Sequence, residues 1–342
     1  MTRYEIRAAT RSDEDDLLRL ARYLNSVNLP DDRDTIRSIL DLSERSFSRE
    51  IGDPRRREYV FVLRDLEEGH AVGTSMIIGQ LGRRDAPYIY FDVHQEERYS
   101  ATLDRHFTHD VLTIGYSYNG PTEIGGLVVH PEMRRVPERL GMLISYVRFL
   151  WIAMHREDIQ PQLLAELLPP LEPDGTSHLW EAVGRHFTGL SYRDADRLSK
   201  KNKEFIRGLF PDGDIYVSLL APDAQSVVGK VGQQTRGVEK LLSRIGFRYA
   251  NRVDPFDGGP HFVAPTDDVL LVRRARSVRL GPPAPVTGPR ALVARDHDGP
   301  PYFLALATPA AIDDGGVVTV SPEAAAHLWL APGDQAYVLP LD

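Results

Sequence analysis

The chain of 342 residues contains no cysteine and no long uninterrupted apolar segment. Without cysteine, disulfide bonds, thiolate zinc sites and a cysteine nucleophile are excluded. The longest apolar stretch, residues 142–154, includes a serine, a tyrosine and an arginine. It is too short for a membrane span and predicts a buried helix. The first residues, MTRYEIRAATRSDEDD, lack the apolar region of a secretion signal, so we expect a cytoplasmic protein.

Concentrated positive charge is also lacking. The 41 lysine and arginine residues are outnumbered by 49 acidic residues, the net charge is −8, and no basic block is present. Nucleic acid and anionic membranes bind to positive surfaces, so we expect neither as a partner. The hydrophobic content of 42% is ordinary for a globular protein, and the length exceeds one typical domain. A large core with a smaller appended unit is therefore expected.

Hydrophobic patterning predicts a mixed α/β fold for a main domain at residues 1–280, with a helical insertion around residues 170–225. The predicted strands are residues 4–8, 59–64, 71–79, 111–116, 123–129, 162–168, 247–253 and 261–263. The predicted helices are one from a capping box at Ser12 to Leu24, the apolar helix at 142–154, one capped by Ser177, and one at 238–245.

The last part of the chain is set apart by a segment rich in proline and glycine. Residues 281–285, GPPAP, are typical of a linker. Beyond them we predict strands at 290–294, 302–307, 317–320 and 336–341, and a short helix that starts at Ser321. We therefore expect a small β-rich subdomain at residues 286–342, which is too short to be a catalytic domain.

The connection from the strand at 123–129 to the apolar helix has the features of an anion-binding site. The strand runs into two arginines and then into a glycine that opens the helix; these residues are Leu127, Val128, Val129, Arg134, Arg135 and Gly141. A helix start offers unpaired amide donors and a partial positive charge, and arginines add charge-assisted hydrogen bonds. These groups suit the pyrophosphate of an acyl-CoA. The strand would run beside the pantetheine arm and donate a backbone N–H to the thioester oxygen.

Further segments occur in the order known from one enzyme family. They are YNGxxE at 118–123, HPEMRR at 130–135, AE at 165–166, WEAVGRHF at 180–187, VGKV with QT at 228–235, GFRY at 246–249 and FDGGP at 256–260. Through them the chain resembles the arginine N-succinyltransferases from about residue 4 to residue 341, including the small C-terminal unit. The resemblance implies a GNAT-like acyltransferase fold, a mixed α/β fold, with a small β-rich subdomain after it.

The resemblance also implies a reaction and its ligands. Members of the family transfer a succinyl group from succinyl-CoA to the α-amine of arginine, so acyl-CoA and a small amine or amino acid are the expected ligands. Tyr118, Glu123 and Asp257 lie in the shared motifs and are the expected substrate-binding residues, although each also suits a structural role in a turn. Some members work as two related chains, so a homo-oligomer or a hetero-oligomer is expected.

The general base of the family is missing from this chain. The family's presumed base is a histidine in a GxVHPQT segment, whereas residues 229–235 read GKVGQQT, with Gly232 in its place. Glycine cannot accept a proton. The candidates for a replacement are His186, which also suits a core position on its helix, and Glu166, which also suits a solvated strand edge. If neither residue is the base, two alternatives remain. The substrate amine binds already deprotonated, or the chain is a non-catalytic subunit of a hetero-oligomer.

A second departure is Asp92, which occupies a position where the family has an arginine. A reversed charge near a substrate pocket changes which ligand is tolerated, so a different amine or acyl donor is a third hypothesis. The residues His94, His106 and His109 lie among acids, but their spacing is not that of a known metal site, and we expect no metal.

Overall fold

The computed structural model describes residues 3–23, 28–83, 86–172, 174–199 and 202–341. The chain divides into two compact units. Unit 1 comprises Met1–Gln80, Thr122–Pro161 and Thr266–Asp342, and unit 2 comprises Leu81–Pro121 and Gln162–Pro265. Each unit has a hydrophobic core of its own.

The strands and helices are numbered here in chain order. The strands are β1 (Tyr4–Ala8), β2 (Glu58–Asp65), β3 (His70–Ile78), β4 (Tyr88–Ser100), β5 (Arg105–Ser117), β6 (Thr122–Val129), β7 (Gln162–Glu166), β8 (Ile215–Tyr216), β9 (Arg248–Val253), β10 (Pro260–Pro265), β11 (Arg276–Leu280), β12 (Arg290–Asp296), β13 (Phe303–Pro309), β14 (Ala311–Ile312), β15 (Val317–Thr319) and β16 (Gln335–Pro340). The α-helices are α1 (Glu14–Ala21), α2 (Arg33–Phe47), α3 (Leu140–Met154), α4 (Arg185–Thr188), α5 (Tyr192–Ser199), α6 (Glu204–Leu209), α7 (Pro222–Val227), α8 (Arg236–Arg244), α9 (Leu270–Arg274) and α10 (Pro322–His327).

Unit 1 is built on a sheet with the strand order β14-β15-β11-β16-β12-β13-β1-β2-β3-β6. Its neighbouring strands are antiparallel except for β11 and β15. The helices α1 and α2 pack against β3 and β2, with Leu17, Leu20 and Ile36 completely buried. The apolar helix α3 packs on β3 and β6, which confirms the predicted buried helix. The helix begins at Leu140, two residues before the predicted start.

The C-terminal strands belong to the same sheet in unit 1. Ile6 of β1 is paired with Ala305 of β13, and β12 lies between β13 and β16. All four strands predicted after the linker are present, and Ser321 caps α10 by accepting the N–H of Ala324. The domain boundary at residues 281–285 stays a prediction.

A 3-10 turn at Arg11–Asp13 leads into α1, so the helical segment begins earlier than the sequence pattern indicates. The predicted cap at Ser12 is wrong, because the capping box closes between Thr10, whose N–H donates to a carboxylate at 2.8 Å, and Asp13. Asp13 is held in place by Arg7, which binds it through two hydrogen bonds of 2.7 Å. The predicted end of this helix at Leu24 lies outside the described residues.

Several elements were not predicted, and the longest of them are the helix α2 and the strand β4. In α2 the buried side chains Ile36, Leu40 and Phe47 are separated by polar residues, and no element was predicted for this segment. The strand β4 pairs with β5 over its whole length, from Tyr88 opposite Ser117 to Ser100 opposite Arg105. Its outer half is polar and exposed, so no hydrophobic pattern marks it.

Unit 2 contains a sheet with the order β7-β10-β9-β4-β5-β8, covered by helices from residues 170–245. The buried ring of Trp180 stacks on Phe256, with 5.0 Å between the ring centroids. The hydroxyl of Ser177 accepts the N–H of Trp180 at 3.0 Å, which confirms the predicted cap. The first turns of this helix, Trp180–Gly184, are π-helical and continue into α4.

A bulge interrupts the pairing of β6 with β3. Thr74 is paired with Val128 and Met76 with Gly125, so Gly126 and its successor both face one residue of β3. Gly126 has a φ of 56°, and a Cβ added to it would lie 2.6 Å from the Cγ of Met76. This is the left-handed glycine that one kind of β-bulge requires.

Substitution of Gly126 by alanine is therefore expected to lower the free energy of unfolding by roughly 1–3 kcal/mol. The matched control is Gly141→Ala in α3, where the new Cβ meets only a methyl group of Val129 at 4.0 Å. Alanine there should raise stability by about 0.5–1 kcal/mol. Urea unfolding of both variants measures the difference, and equal effects would contradict this account of the bulge.

Candidate active site

The residues predicted to bind acyl-CoA all lie in unit 1, on β6 and in its connection to α3. Val128 and Val129 are buried, and Leu127 in the bulge is partly exposed. A bulge leaves a residue outside the hydrogen-bond ladder. The backbone of this segment is therefore able to donate a hydrogen bond to a ligand.

The connection ends at a helix start that has no side-chain cap. Arg139 precedes α3 in a left-handed conformation with a φ of 58°, and Gly141 is the second residue of the helix. Arg134 donates to the last carbonyl of β6 at 3.0 Å, and Arg135 is exposed. Free amide donors, the helix dipole and an exposed guanidinium form a donor set that fits a pyrophosphate.

The two residues predicted from the YNGxxE motif lie in different units. Glu123, in unit 1, is 4% exposed, and its carboxylate accepts a hydrogen bond from the amide of Asn28 at 2.6 Å. Tyr118, in unit 2, is 49% exposed after the end of β5. Glu123 therefore has a structural partner, whereas the ring of Tyr118 is open to a ligand.

Glu166 lies directly opposite His261 on the adjacent strands β7 and β10 of unit 2. His261 is completely buried, and its Nδ1 lies 2.5 Å from the hydroxyl of Tyr88. Its Nε2 lies 3.6 Å from Oε1 of Glu166, whose side chain is 31% exposed. His261 was not predicted, because a lone histidine in a short apolar strand carries no pattern of its own.

The protonation of these groups follows from their burial. Burial lowers the pKa of His261 to about 3, so the imidazole is neutral at neutral pH. Burial also raises the pKa of the Tyr88 phenol far above its usual value, so the hydroxyl keeps its proton and donates it to Nδ1. The single imidazole proton is then on Nε2, which has no hydrogen-bond partner among the described residues and faces Glu166.

Asp254 and Asp257 lie in the turn between β9 and β10. The carboxylate of Asp257 accepts a hydrogen bond from the N–H of Gly259 at 2.7 Å, and that of Asp254 accepts one from the N–H of Phe256 at 2.7 Å. Both side chains therefore stabilise the turn. Burial raises the pKa of both carboxyl groups, and the charge of Asp254 raises that of Asp257 further. Asp254 also has a carboxylate oxygen within 4.8 Å of donor atoms of Glu166 and His261. Unit 2 thus brings the carboxyl groups of Glu166 and Asp254 close to one buried imidazole.

Gly232 packs tightly against the backbone that follows β7. Its N–H donates to the carbonyl of Leu168 at 2.9 Å, and a Cβ added to it would lie 2.6 Å from the carbonyl oxygen of Pro169. A histidine does not fit here unless the backbone shifts. The local packing thus matches the loss of the family's base at this position.

His186 is exposed on α4 and does not occupy the core position considered from its spacing. Its expected neighbours Leu179 and Val183 are buried without it. Within the described parts of the chain it makes no hydrogen bond or ion pair, whereas the neighbouring Arg185 binds Glu181 at 2.9 Å. A catalytic role for His186 stays a prediction.

The charge of Asp92 is balanced inside unit 2. Its carboxylate accepts a hydrogen bond from Nε of Arg252 at 2.8 Å. The guanidinium of Arg252 in turn lies over the ring of Tyr90, 3.9 Å from its centroid. Asp92 therefore has a structural partner of opposite charge.

Three groups of described residues bring histidine and carboxylate donor atoms within 4.8 Å of one another. They are His94, Glu96 and Asp214; His155, Glu157 and Asp158; and Glu166, Asp254 and His261. Of the three histidines considered from the sequence, His106 lies 3.5 Å from Glu97 and His109 lies 3.3 Å from Ser218. The expectation of no metal stays a prediction.

No helix in the described ranges is long and apolar enough to cross a membrane.

The fold is a mixed α/β fold in which a bulged strand leads into an apolar helix, and it is shared with a solved succinyltransferase subunit. A sequence profile of the arginine N-succinyltransferase beta subunit matches residues 4–271. The arginine N-succinyltransferase of Yersinia pestis is 31% identical over 98% of this chain and 97% of its own, and that of Enterobacter sp. (strain 638) is 32% identical over 85% of each. The solved structure of arginine/ornithine succinyltransferase subunit AI from Pseudomonas aeruginosa covers 100% of both chains at 27% identity, with a TM-score of 0.84. The chain belongs to the arginine N-succinyltransferase family.

A histidine restored at position 232 is expected to lower stability and not to act as a base. Gly232→His should cost roughly 1–3 kcal/mol of unfolding free energy through overpacking. Gly237→Ala in α8, where nothing lies within 4 Å of the new Cβ, is the control and should not destabilise. Urea unfolding measures the free energy of unfolding of both variants and of the wild type. A variant as stable as the wild type would contradict the tight packing.

His261 should make stability depend on pH in the acid range. Its pKa is 6.5 in the unfolded chain and about 3 in the folded protein, so only the unfolded chain takes up a proton as the pH falls. Its contribution is complete above pH 6.5 and is lost towards pH 3, by about 1.4 kcal/mol per pH unit. His261→Gln should flatten this slope, and the exposed control His186→Gln should not. Urea unfolding at several pH values measures both, and equal slopes in all three proteins would refute the assignment.

Proposed function

We propose that this chain transfers a succinyl group from succinyl-CoA to the amine of arginine or a similar amino acid, in the cytoplasm. The observation that carries the proposal is the bulged strand β6, which is followed by the uncapped start of α3. Membership of the arginine N-succinyltransferase family supports it. The relatives from Yersinia pestis and Pseudomonas aeruginosa are named for arginine and for arginine or ornithine.

The acyl donor is assigned to unit 1. The amide groups at the start of α3, with Arg134 and Arg135, bind the pyrophosphate. The backbone at Leu127 donates to the thioester oxygen and stabilises the negative charge that develops there. The amine nitrogen attacks the thioester carbon, the new C–N bond replaces the C–S bond, and CoA leaves as the thiolate.

The proton from the attacking amine is assigned to Glu166. Its carboxylate is partly exposed, and Nε2 of the neutral His261 lies 3.6 Å from its Oε1. Tyr88 fixes that tautomer by donating to Nδ1. Proton transfer then needs no group at Gly232.

The cationic part of the amino acid is assigned to the acidic turn between β9 and β10. The carboxyl groups of Asp254 and Asp257 provide hydrogen-bond acceptors, and the exposed ring of Tyr118 provides a surface for a guanidinium. These assignments accord with a substrate that carries an amine and a second cation.

A second candidate function is that of a non-catalytic subunit. The observation that favours it is Gly232, where the family's base is absent and does not fit. The chain would then bind CoA without turnover and form a hetero-oligomer with a related subunit. Native mass measurement of the purified chain, alone and with such a subunit, separates this candidate from a homo-oligomeric enzyme.

Turnover by the purified chain is the decisive measurement. Thiol release from succinyl-CoA in the presence of arginine, ornithine and other amines should be observed, with calorimetric binding of CoA below millimolar concentration. Glu166→Gln should lower kcat by about 100-fold or more. The surface variant Glu181→Gln is the control and should leave kcat unchanged. His186→Gln tests the alternative base, and a loss confined to that variant would reject Glu166.

A further inference from the structure

Arg148 is a completely buried cation on the face of α3 that meets the sheet of unit 1. It is 2% exposed. Its Nε donates to the carbonyl of Ser145 at 3.2 Å, and a second nitrogen donates to the hydroxyl of Ser145 at 2.8 Å. The third nitrogen lies 3.4 Å from the carbonyl of Gly125. All of these partners are neutral.

The other buried arginines of the described chain are paired with acids. Arg7 binds Asp13 at 2.7 Å, and Arg57 binds Asp158 at 2.8 Å. In contrast, no described carboxylate lies within 4.0 Å of Arg148, and burial alone lowers its pKa to about 9. The guanidinium therefore remains charged at neutral pH. A buried charge without a counter-ion is costly, which suggests that an anion arrives with a ligand.

The position of Arg148 indicates which ligand this is. Its contact with Gly125 puts the guanidinium beside the bulge at Gly126 and Leu127, the segment assigned above to the thioester. The backbone of Gly125 is partly exposed. The carboxylate of Glu123, which lies close to Gly125, accepts a hydrogen bond from the amide of Asn28 at 2.6 Å.

We propose that Arg148 binds the distal carboxylate of a dicarboxylic acyl group carried by CoA. This inference rests on the proposed function and specifies its acyl donor. In a four-carbon acyl group the distal carboxylate lies about 5 Å from the thioester carbon, which is comparable to the spacing of one to two residues along a strand. A guanidinium beside the bulge is thus within reach of the carboxylate, and it binds that group with charge-assisted hydrogen bonds.

Calorimetric titration tests the proposal with CoA, butyryl-CoA and succinyl-CoA, which differ in the acyl chain and its carboxylate. The wild-type protein should bind succinyl-CoA more tightly than butyryl-CoA. Arg148→Met keeps the apolar stem and removes the charge. It should weaken succinyl-CoA binding by about 10- to 100-fold and leave butyryl-CoA and CoA binding unchanged.

Two further variants keep the test decisive. Arg148→Gln retains hydrogen-bond donors without the charge and should lose the same preference, even if the methionine variant does not fold. Ser145→Ala removes one partner of Arg148 but leaves the cation in place. It is the matched control and should retain the preference for succinyl-CoA.

The outcomes also separate this inference from the proposed function. Equal weakening of all three ligands in the Arg148 variants would mean that the arginine only supports the bulge, and would overturn the inference. Wild-type protein that binds CoA and both thioesters without preferring succinyl-CoA would overturn it as well, while leaving an acyl-CoA function intact. Failure to bind any of the three ligands would reject the proposed function itself.

Discussion

Burial of a charge or a polar group costs free energy unless another group binds it, and this constraint organises both units. In unit 1, Asp13 is buried with Arg7, and the pair fixes where the first helix begins. In unit 2 the buried hydroxyl of Tyr88 is bound to His261. Among the described residues, Arg148 has no acidic partner and Nε2 of His261 has no hydrogen-bond partner, so both meet this constraint only in part.

The candidate groups divide by role between the two units. The bulge of β6 and the start of α3 belong to unit 1 and offer amide donors and cations, which suit an anionic acyl donor. The carboxylates and the buried imidazole belong to unit 2 and suit proton transfer and recognition of a cation. The division follows from chemistry, because a pyrophosphate and an amino acid require opposite charges around them.

The resemblance implies a histidine at the position of Gly232, and the glycine there is a local difference. At Gly232 the chain closes against the carbonyls of Leu168 and Pro169, directly after β7. Glu166 ends that same strand, and His261 faces it from β10. A carboxylate with a neutral histidine behind it provides a different arrangement for accepting a proton. It depends on cross-strand register rather than on a loop motif.

The sequence by itself determined most of the longer strands, the apolar helix α3, the segment from Leu127 to Gly141 and the family. These features depend on local spacing and contiguous motifs, which a single chain displays directly. It could not identify His261, because Glu166 lies 95 positions away in the chain and only the pairing of β7 with β10 brings them together. Nor could it show that Arg148 lacks an acidic partner, or that Gly232 has no room for a side chain. Tertiary structure decided these points because burial and missing partners depend on contacts between residues far apart in sequence.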